Sequence, residues 1–471
     1  MMGGAGFLWW RARRPGASGE AAPDDARTDS PAPAPTAVPV DHLRARAGSL
    51  LRETAHAVGA SAEEIGAVRA AGSAAASLEP YTQAVEKSRA EVDRALLLHD
   101  GGPASGDEHD ERAWLEEIVA LCESAGARLD ALVDRFDAAR GLDTGVGTLL
   151  SQLAMDVDIA QERIATSREA VADLGAQYPD IALAQVTANL GVAQDRVRFA
   201  DEAVTASRTL LEDEDRKGAA AEARAAEAAL AQAGTLLDGI AQVGQDLARA
   251  ARAVHVLLEE TEGGLAEAER LGVPDEISHA HPYAQGTVQW ARSEADTGTF
   301  DPMAMRRALE DTDSALEVGL AAHRDEPEVR RRALALLGDA AASAQYSIRV
   351  AGCFIATRQG AVGLAARTHL LRAEQHHDRG AQLAADDPKR ALTEHQRADA
   401  LADLALRLGQ QDEAARINEQ RIAGTDPILA GAVAGGIIVP VDGPDVPAGS
   451  WAPVGFGGPR TRSRRLMPDP G

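Results

Sequence analysis

Cysteine occurs only twice in 471 residues, at Cys122 and Cys353, so no disulfide framework holds this chain together. Both sit in helical apolar patterns and read as buried, inert thiols in a reducing compartment. Aromatic residues make up only 3%, so alanine dominates the 45% apolar fraction. That excludes bulky globular cores, although length alone would accommodate about three domains. Long, shallow helical seams are expected instead, because each buried alanine removes little surface from water. The sequence has no Gly-x-x-x-x-Gly-Lys-Ser/Thr loop, no Gly-x-Ser-x-Gly elbow and no His-Glu-x-x-His helix. No catalytic, cofactor-binding or metal-ligating residue is therefore assigned, and the chain reads as a non-enzyme without a cofactor.

Positive charge is scarce over most of the length. Residues 15–459 carry 41 basic and 72 acidic side chains, a balance of −31 within an overall −25. A body so acidic repels nucleic acid, which needs excess positive charge on the binding face. The basic residues that depart from this pattern cluster at the ends: Arg11, Arg13 and Arg14 at one, Arg460, Arg462, Arg464 and Arg465 at the other. Each such residue gains about 1 kcal/mol beside an anionic leaflet. For the C-terminal cluster, membrane-surface contact and plain solvation both fit. No protein partner or oligomeric state follows from these patterns.

Long hydrophobic runs are also missing. Met1 to Trp10 ends in Phe7, Leu8, Trp9 and Trp10, followed at once by Arg11, Arg13 and Arg14. This is the aromatic and positive flank of a transmembrane helix at its cytoplasmic end. Only ten residues precede the first arginine, whereas a span takes roughly 20 apolar residues. Trp9, Trp10, Arg11, Arg13 and Arg14 are accordingly expected to be membrane-proximal, the stub being the end of a helix whose beginning is missing. The charges follow the apolar stretch, so it does not read as a secretory signal. Ile428 to Val439 is the other apolar run, too short to span and expected to be partly buried or interfacial.

What the chain does have is helix-forming sequence. Alanine, leucine, glutamate and arginine head the helix-propensity ranking, and the expected class is all-α: an elongated antiparallel helical bundle or coiled-coil array with disordered ends. Four regions emerge: a truncated transmembrane-helix end (1–14), a Pro/Ala-rich linker (15–40), the helical region (41–422), and a short apolar segment with a Gly/Pro/Arg-rich disordered tail (423–471). Asp41 is the expected first N-cap. Stops are expected at Asp100–Gly106, Gly141–Gly147, Tyr178–Asp180, Asp213–Gly218, Gly272–Glu276, Thr297–Pro302, Gly360–Gly363 and Asp386–Pro388. The helix before Gly141 contains Trp114 and Phe136. Asp215, Asp301 and Asp387 recur every 86 residues, each opening an alanine/leucine helix, the pattern of repeated helical hairpins. From Ala219 to Leu271 there is no proline, and a continuous helix there would run about 80 Å.

Histidine spacing was the one hint of a metal site. Glu53-Thr-Ala-His56 and Glu374-Gln-His-His377 place a carboxylate and an imidazole on one helical face, as in di-iron bundles. Polar neighbours favour solvent-facing side chains at both. His279-Ala-His281 lacks a third ligand and reads as a loop. Arg330-Arg331-Arg332 reads as a surface cluster.

Several segments resemble the C-terminal part of actinobacterial TPM-domain membrane proteins. They are Glu117-Ile-Val-Ala-Leu-Cys-Glu123, Tyr178-Pro-Asp-Ile-Ala-Leu183 and above all Phe354-Ile-Ala-Thr-Arg-Gln-Gly-Ala-Val-Gly363 with Ala366-Arg-Thr-His-Leu370. Arg397-Ala-Asp-Ala-Leu-Ala402 and Phe456-Gly-Gly-Pro-Arg-Thr-Arg-Ser-Arg-Arg465 extend the resemblance over about residues 7–465. It implies a signal peptide, an extracytoplasmic α/β TPM domain and one transmembrane helix ahead of a cytoplasmic helical region. This sequence has no counterpart of those front parts and a tail poorer in glycine. The implied function is a non-enzymatic scaffold or interaction region on the cytoplasmic face of the membrane. The alternative is a fragment of a phosphatase-like TPM hydrolase whose catalytic domain is encoded upstream.

Overall fold

A computed structural model describes residues 38–70, 75–440 and 451–465. The stub with Trp9, Trp10, Arg11, Arg13 and Arg14, and nearly all of the 15–40 linker, lie outside the described residues. The fold is all-α. Its first helices are α1 (Val40–Ala70), α2 (Ala75–Gly101), α3 (Glu108–Asp130) and α4 (Val133–Arg140), followed by α5 (Leu142–Gly175) and α6 (Asp180–Glu212). Then come α7 (Arg216–Arg270), α8 (Ala280–Thr297), α9 (Pro302–Leu320), α10 (Glu326–Ala356), α11 (Leu364–Leu383) and α12 (Pro388–Ile422). A short helix α13 (Pro427–Gly435), a two-stranded antiparallel ribbon of β1 (Ile438–Pro440) and β2 (Trp451–Pro453), and α14 (Pro459–Arg465) complete it. Among the described residues no helix is long and apolar enough to cross a membrane.

Aspartate sets the starts. Asp215, Asp301 and Asp387 are the N-caps of α7, α9 and α12, each side chain accepting a backbone N–H of the first turn. This satisfies donors that a helix start leaves orphaned and places negative charge on the positive end of its dipole. The 86-residue recurrence is thus a recurrence of caps. The hairpins around them are unequal, pairing α6 with α7, α8 with α9 and α11 with α12. Asp301→Ala is expected to cost about 1 kcal/mol, read as a lower urea midpoint. Two other starts depart from the expectation. Asp41 lies in the first turn of α1, which begins one residue earlier. Gly141 is a single left-handed residue (φ 62°) ending α4 as α5 begins, so no longer stop separates them. The helix expected from Trp114 to Phe136 breaks at Ala131–Leu132 into α3 and α4.

The central element is α7, unbroken over 55 residues or about 82 Å at 1.5 Å per residue. Its first half buries Ala219, Ala223, Ala226, Ala229 and Ala233 against α5, α6 and α13. Each contributes only about 0.8 kcal/mol of transfer energy, so stability comes from the length of the seam. Further along, Val254 and Leu257 join Met305 and Leu309 of α9, and Leu265 and Ala268 join Leu316 and Leu320. A separate core unites α1 to α4 around Leu51, Leu115, Ile118, Leu129 and Phe136.

The region 423–471 is more structured than its composition suggests. The apolar run beginning at Ile428 forms α13 and β1 and is buried, with Ala432, Ala434, Ile437 and Ile438 nearly inaccessible. Residues 451–462, expected to be disordered, pack into the fold. Phe456 is fully buried, stacked on Phe136 at 4.4 Å between ring centroids and edge-on to Tyr81 at 5.8 Å. The Ser61 hydroxyl accepts from Gly457 N, and one Asp130 oxygen accepts from both Gly458 N and Thr461 N. Residues 441–450 and 466–471 lie outside the described residues.

A buried polar hub as the candidate functional site

The segment Phe354–Gly363 closes α10 and turns into α11, and it is the centre of a buried polar network. Its placement follows from packing. Phe354, Ile355, Val362 and Ala366 form a small apolar cluster that fixes both ends of the turn. Between them Thr357, Arg358 and Gln359 are buried. Arg358 is 2% exposed, and its guanidinium donates to Glu413 (3.0 Å), to the Thr357 hydroxyl (2.7 Å) and to Asn189 (3.3 Å). It also lies 4.2 Å from the centre of the Phe354 ring, a cation–π contact in a desolvated place.

Arg196 of α6 is the second buried guanidinium. It donates to Gln232 Oε1 of α7 at 3.0 Å and to the Thr357 carbonyl at 3.5 Å, and Gln232 in turn donates to the Gly435 carbonyl at 2.9 Å. Burial, with Arg358 close by, pulls the Arg196 pKa down to about 10. Gly360 N donates to Ala434 O at 3.0 Å. A Cβ at Gly360 would stand 2.1 Å from the Val433 carbonyl oxygen, so only glycine admits α13 this close. The hub therefore ties α6, α7, α10, α12 and α13 together at one point.

On the α1 side, Glu63 accepts from the Gln359 amide, and Arg367 of α11 donates to the Gln359 carbonyl at 2.9 Å. Burial pushes the Glu63 carboxyl up to about 7, against the opposing pull of amide hydrogen bonds and of Arg462 and Arg196. Burial also lowers Arg367 to about 10. The folded Glu63 carboxyl keeps its proton to about pH 7, whereas the unfolded chain releases it near 4.5. The protonated form thus stabilises the fold fully below 4.5, and this contribution is lost as pH rises through 7. Glu63→Gln removes that dependence. Its stability relative to the parent is expected to improve by up to about 3 kcal/mol between about pH 5 and pH 8 in urea titrations. The His56 contribution, of opposite sign, cancels in the comparison.

Several sequence expectations change here. His56, expected to face solvent, is half-buried, its Nε2 lying 3.2 Å from the Gly436 carbonyl, and burial drives its pKa well below the ordinary value. His377 faces His395, with Nδ1 atoms 3.1 Å apart. His281 is in the first turn of α8 beside Glu269, not in a loop. Arg332 leaves the expected surface cluster: it is buried and paired with Asp313 at 2.6 Å and Glu317 at 2.8 Å. Arg462, one of the C-terminal arginines, reaches back to the His56 carbonyl at 3.2 Å. The Cys122 thiol is fully buried and pushed up to about 12 by burial, and burial also raises Cys353. Among the described residues no group of three or more His, Cys, Asp or Glu side chains is placed to hold a metal ion.

Comparison with known proteins adds two matches. A UPF0603 protein in each of two strains of Mycobacterium tuberculosis is 26% identical to this chain over 399 residues, covering 80% of it. The chain spans 59% of the length of these curated relatives. No protein-family model matches, and no solved structure matches.

The hub residues had a signal in the sequence that composition masks. Arg196 falls on the α6 stripe of Ala193, Val197 and Ala200, and Gln232 on the α7 stripe of Ala229, Ala233 and Leu236. A polar side chain on an apolar helical stripe must find a buried partner, because leaving it unpaired costs about 1–3 kcal/mol. Chemically, the hub's donors and acceptors are engaged with each other across five helices, with Gln359 Oε1 left unpaired.

Proposed function

We propose that the chain is a non-enzymatic helical scaffold or interaction region of a TPM-domain-type membrane protein, standing on the cytoplasmic face of the membrane. Its membrane contact runs through the stub ending in Trp9, Trp10, Arg11, Arg13 and Arg14. The observation that carries this reading is the use made of Thr357-Arg358-Gln359-Gly360. This part of the most family-like segment spends its polar groups on Glu413, Asn189, Glu63 and the α13 backbone. A segment invested in joining helices is a keystone of architecture, and the acidic, alanine-seamed body around it is a frame for presenting surfaces.

A second reading is favoured by the greater length of the matched relatives: the chain would be the helical part of a phosphatase-like TPM hydrolase whose catalytic domain lies in the unmatched portion. One assay separates the two. This chain and the longest in-frame product of its gene are compared on p-nitrophenyl phosphate, with and without divalent metal. The scaffold reading expects background rates from both. Turnover by the longer product alone supports the hydrolase, and turnover by this chain sinks both. In parallel, co-sedimentation with anionic vesicles is expected and should disappear when residues 1–14 are deleted.

A further inference from the structure

The α1–α2 and α10–α11 hairpins enclose a groove of about 350 Å³, at the small end of ligand pockets, which run from about 300 to 1,000 Å³. Small residues create it. Ala55, Gly59 and Ala62 follow one face of α1, and Gly352 and Ala356 follow one face of α10. Leu96 and Leu370 supply apolar wall.

At the edge shared with the hub the groove is polar. Gln359 is only 8% exposed and its Oε1 has no hydrogen-bond partner, while its Nε2 is used by Glu63. A buried amide oxygen and the Glu63 carboxyl thus stand side by side. A nearby cation favours the ionised carboxyl, so that both take N–H donors. The lining carries three carboxyl groups, Glu63, Asp93 and Glu374, against two guanidiniums, Arg89 and Arg367, while Arg462 and Arg196 act on Glu63 from beyond it. Of these, Arg367 is occupied by the Gln359 carbonyl and attracted by Asp412, and Arg89 is exposed, acting on Asp93 and Glu374. Burial raises all three carboxyls, Glu63 to about 7, so an entering cation would draw them into the ionised form. The unmet acceptor points to a cation that donates hydrogen bonds.

We propose that this groove binds a small amphiphilic amine, its ammonium donating to Gln359 Oε1 and Glu63 and its alkyl chain lying on Leu96 and Leu370. A ligand N–H recovers the free energy that the Gln359 oxygen otherwise costs unpaired. The alkyl chain gains burial that the small residues leave open.

Calorimetric titration of the full chain with n-octylamine, sodium octanoate and n-octanol tests this, since the three share a chain length and differ at the head. Octylamine is expected to saturate at one equivalent and to bind at least about tenfold more tightly than either other probe. Gly352→Leu fills the groove. A Cβ there meets nothing nearer than Leu370 at 4.0 Å, so the fold should tolerate it. This variant is expected to weaken octylamine at least about tenfold at an unchanged urea midpoint. Gln359→Leu should weaken it similarly; if that variant unfolds, Gly352→Leu decides alone. Equal binding of all three probes, tighter binding of octanoate, no binding of octylamine, or undiminished binding to Gly352→Leu would each overturn the proposal.

Discussion

Replacing Arg358 with methionine is expected to lower the stability of the folded chain by about 3 kcal/mol, seen as a lower urea midpoint with an unchanged slope. The substitution keeps most of the side-chain volume and removes the fork. Glu413 then loses its charged partner, and Asn189 and Thr357 each lose a donor. Breaking a buried pair by removing one member typically costs about 3–5 kcal/mol. Two features place Arg358 at the low end. The Glu413 side chain is 20% exposed, so water partly replaces the lost cation. Arg196 also sheds the repulsion of a neighbouring guanidinium. Adding Glu413→Met to Arg358→Met should restore more than half of the loss, because the carboxylate left unpaired is the main cost. A double variant as unstable as the single one would place the loss in the Phe354 stack and the Thr357 bond instead.

The Arg358 result also bears on how the site could be read in advance. The stops around it were legible: Gly360–Gly363 and Asp386–Pro388 mark real turns, and the three aspartates spaced by 86 are real caps. Helix class and the long α7 followed from propensity and the absence of proline. What local pattern cannot convey is which polar residue turns inward. Arg332 has acidic sequence neighbours and reads as surface, yet its partner Asp313 arrives on another helix. His56 has polar neighbours, yet the Gly436 carbonyl, 380 residues away, covers it. Such pairings are set by tertiary packing, on which helical periodicity is silent beyond the stripe that faces inward. Arg196 and Gln232 were visible on that stripe; Arg358 was visible only through the family resemblance of its segment.

Phe456→Ala is expected to free the end of the chain before it unfolds the rest. Removing a fully buried phenylalanine costs about 3–5 kcal/mol when the cavity remains. Here the local alternative is for residues 451–465 to detach, which gives up the Phe136 stack, the Ser61 and Asp130 hydrogen bonds and the bond from Phe456 N to Glu64. The segment is fastened by the Phe456 ring, the short β1–β2 pairing, a few backbone donors and Arg462. That is far less than the long helical seams, so its opening free energy lies below that of the core. Weakening it by about 3 kcal/mol raises the open population on the order of a hundredfold. Trypsin cleavage after Arg460 and Arg462, followed by mass spectrometry at low protease, should accelerate by that factor, while the urea midpoint of the remaining helices moves far less. Phe456→Leu, which keeps most of the volume, should give an intermediate rate. The expectation also carries a consequence for the hub. Arg462 bonds the His56 carbonyl and acts on Glu63, so detachment removes a cation from the groove side of α1. The Glu63 carboxyl should then titrate higher still in Phe456→Ala. If cleavage and titration both stay at parental values, the tail is held by something other than the ring.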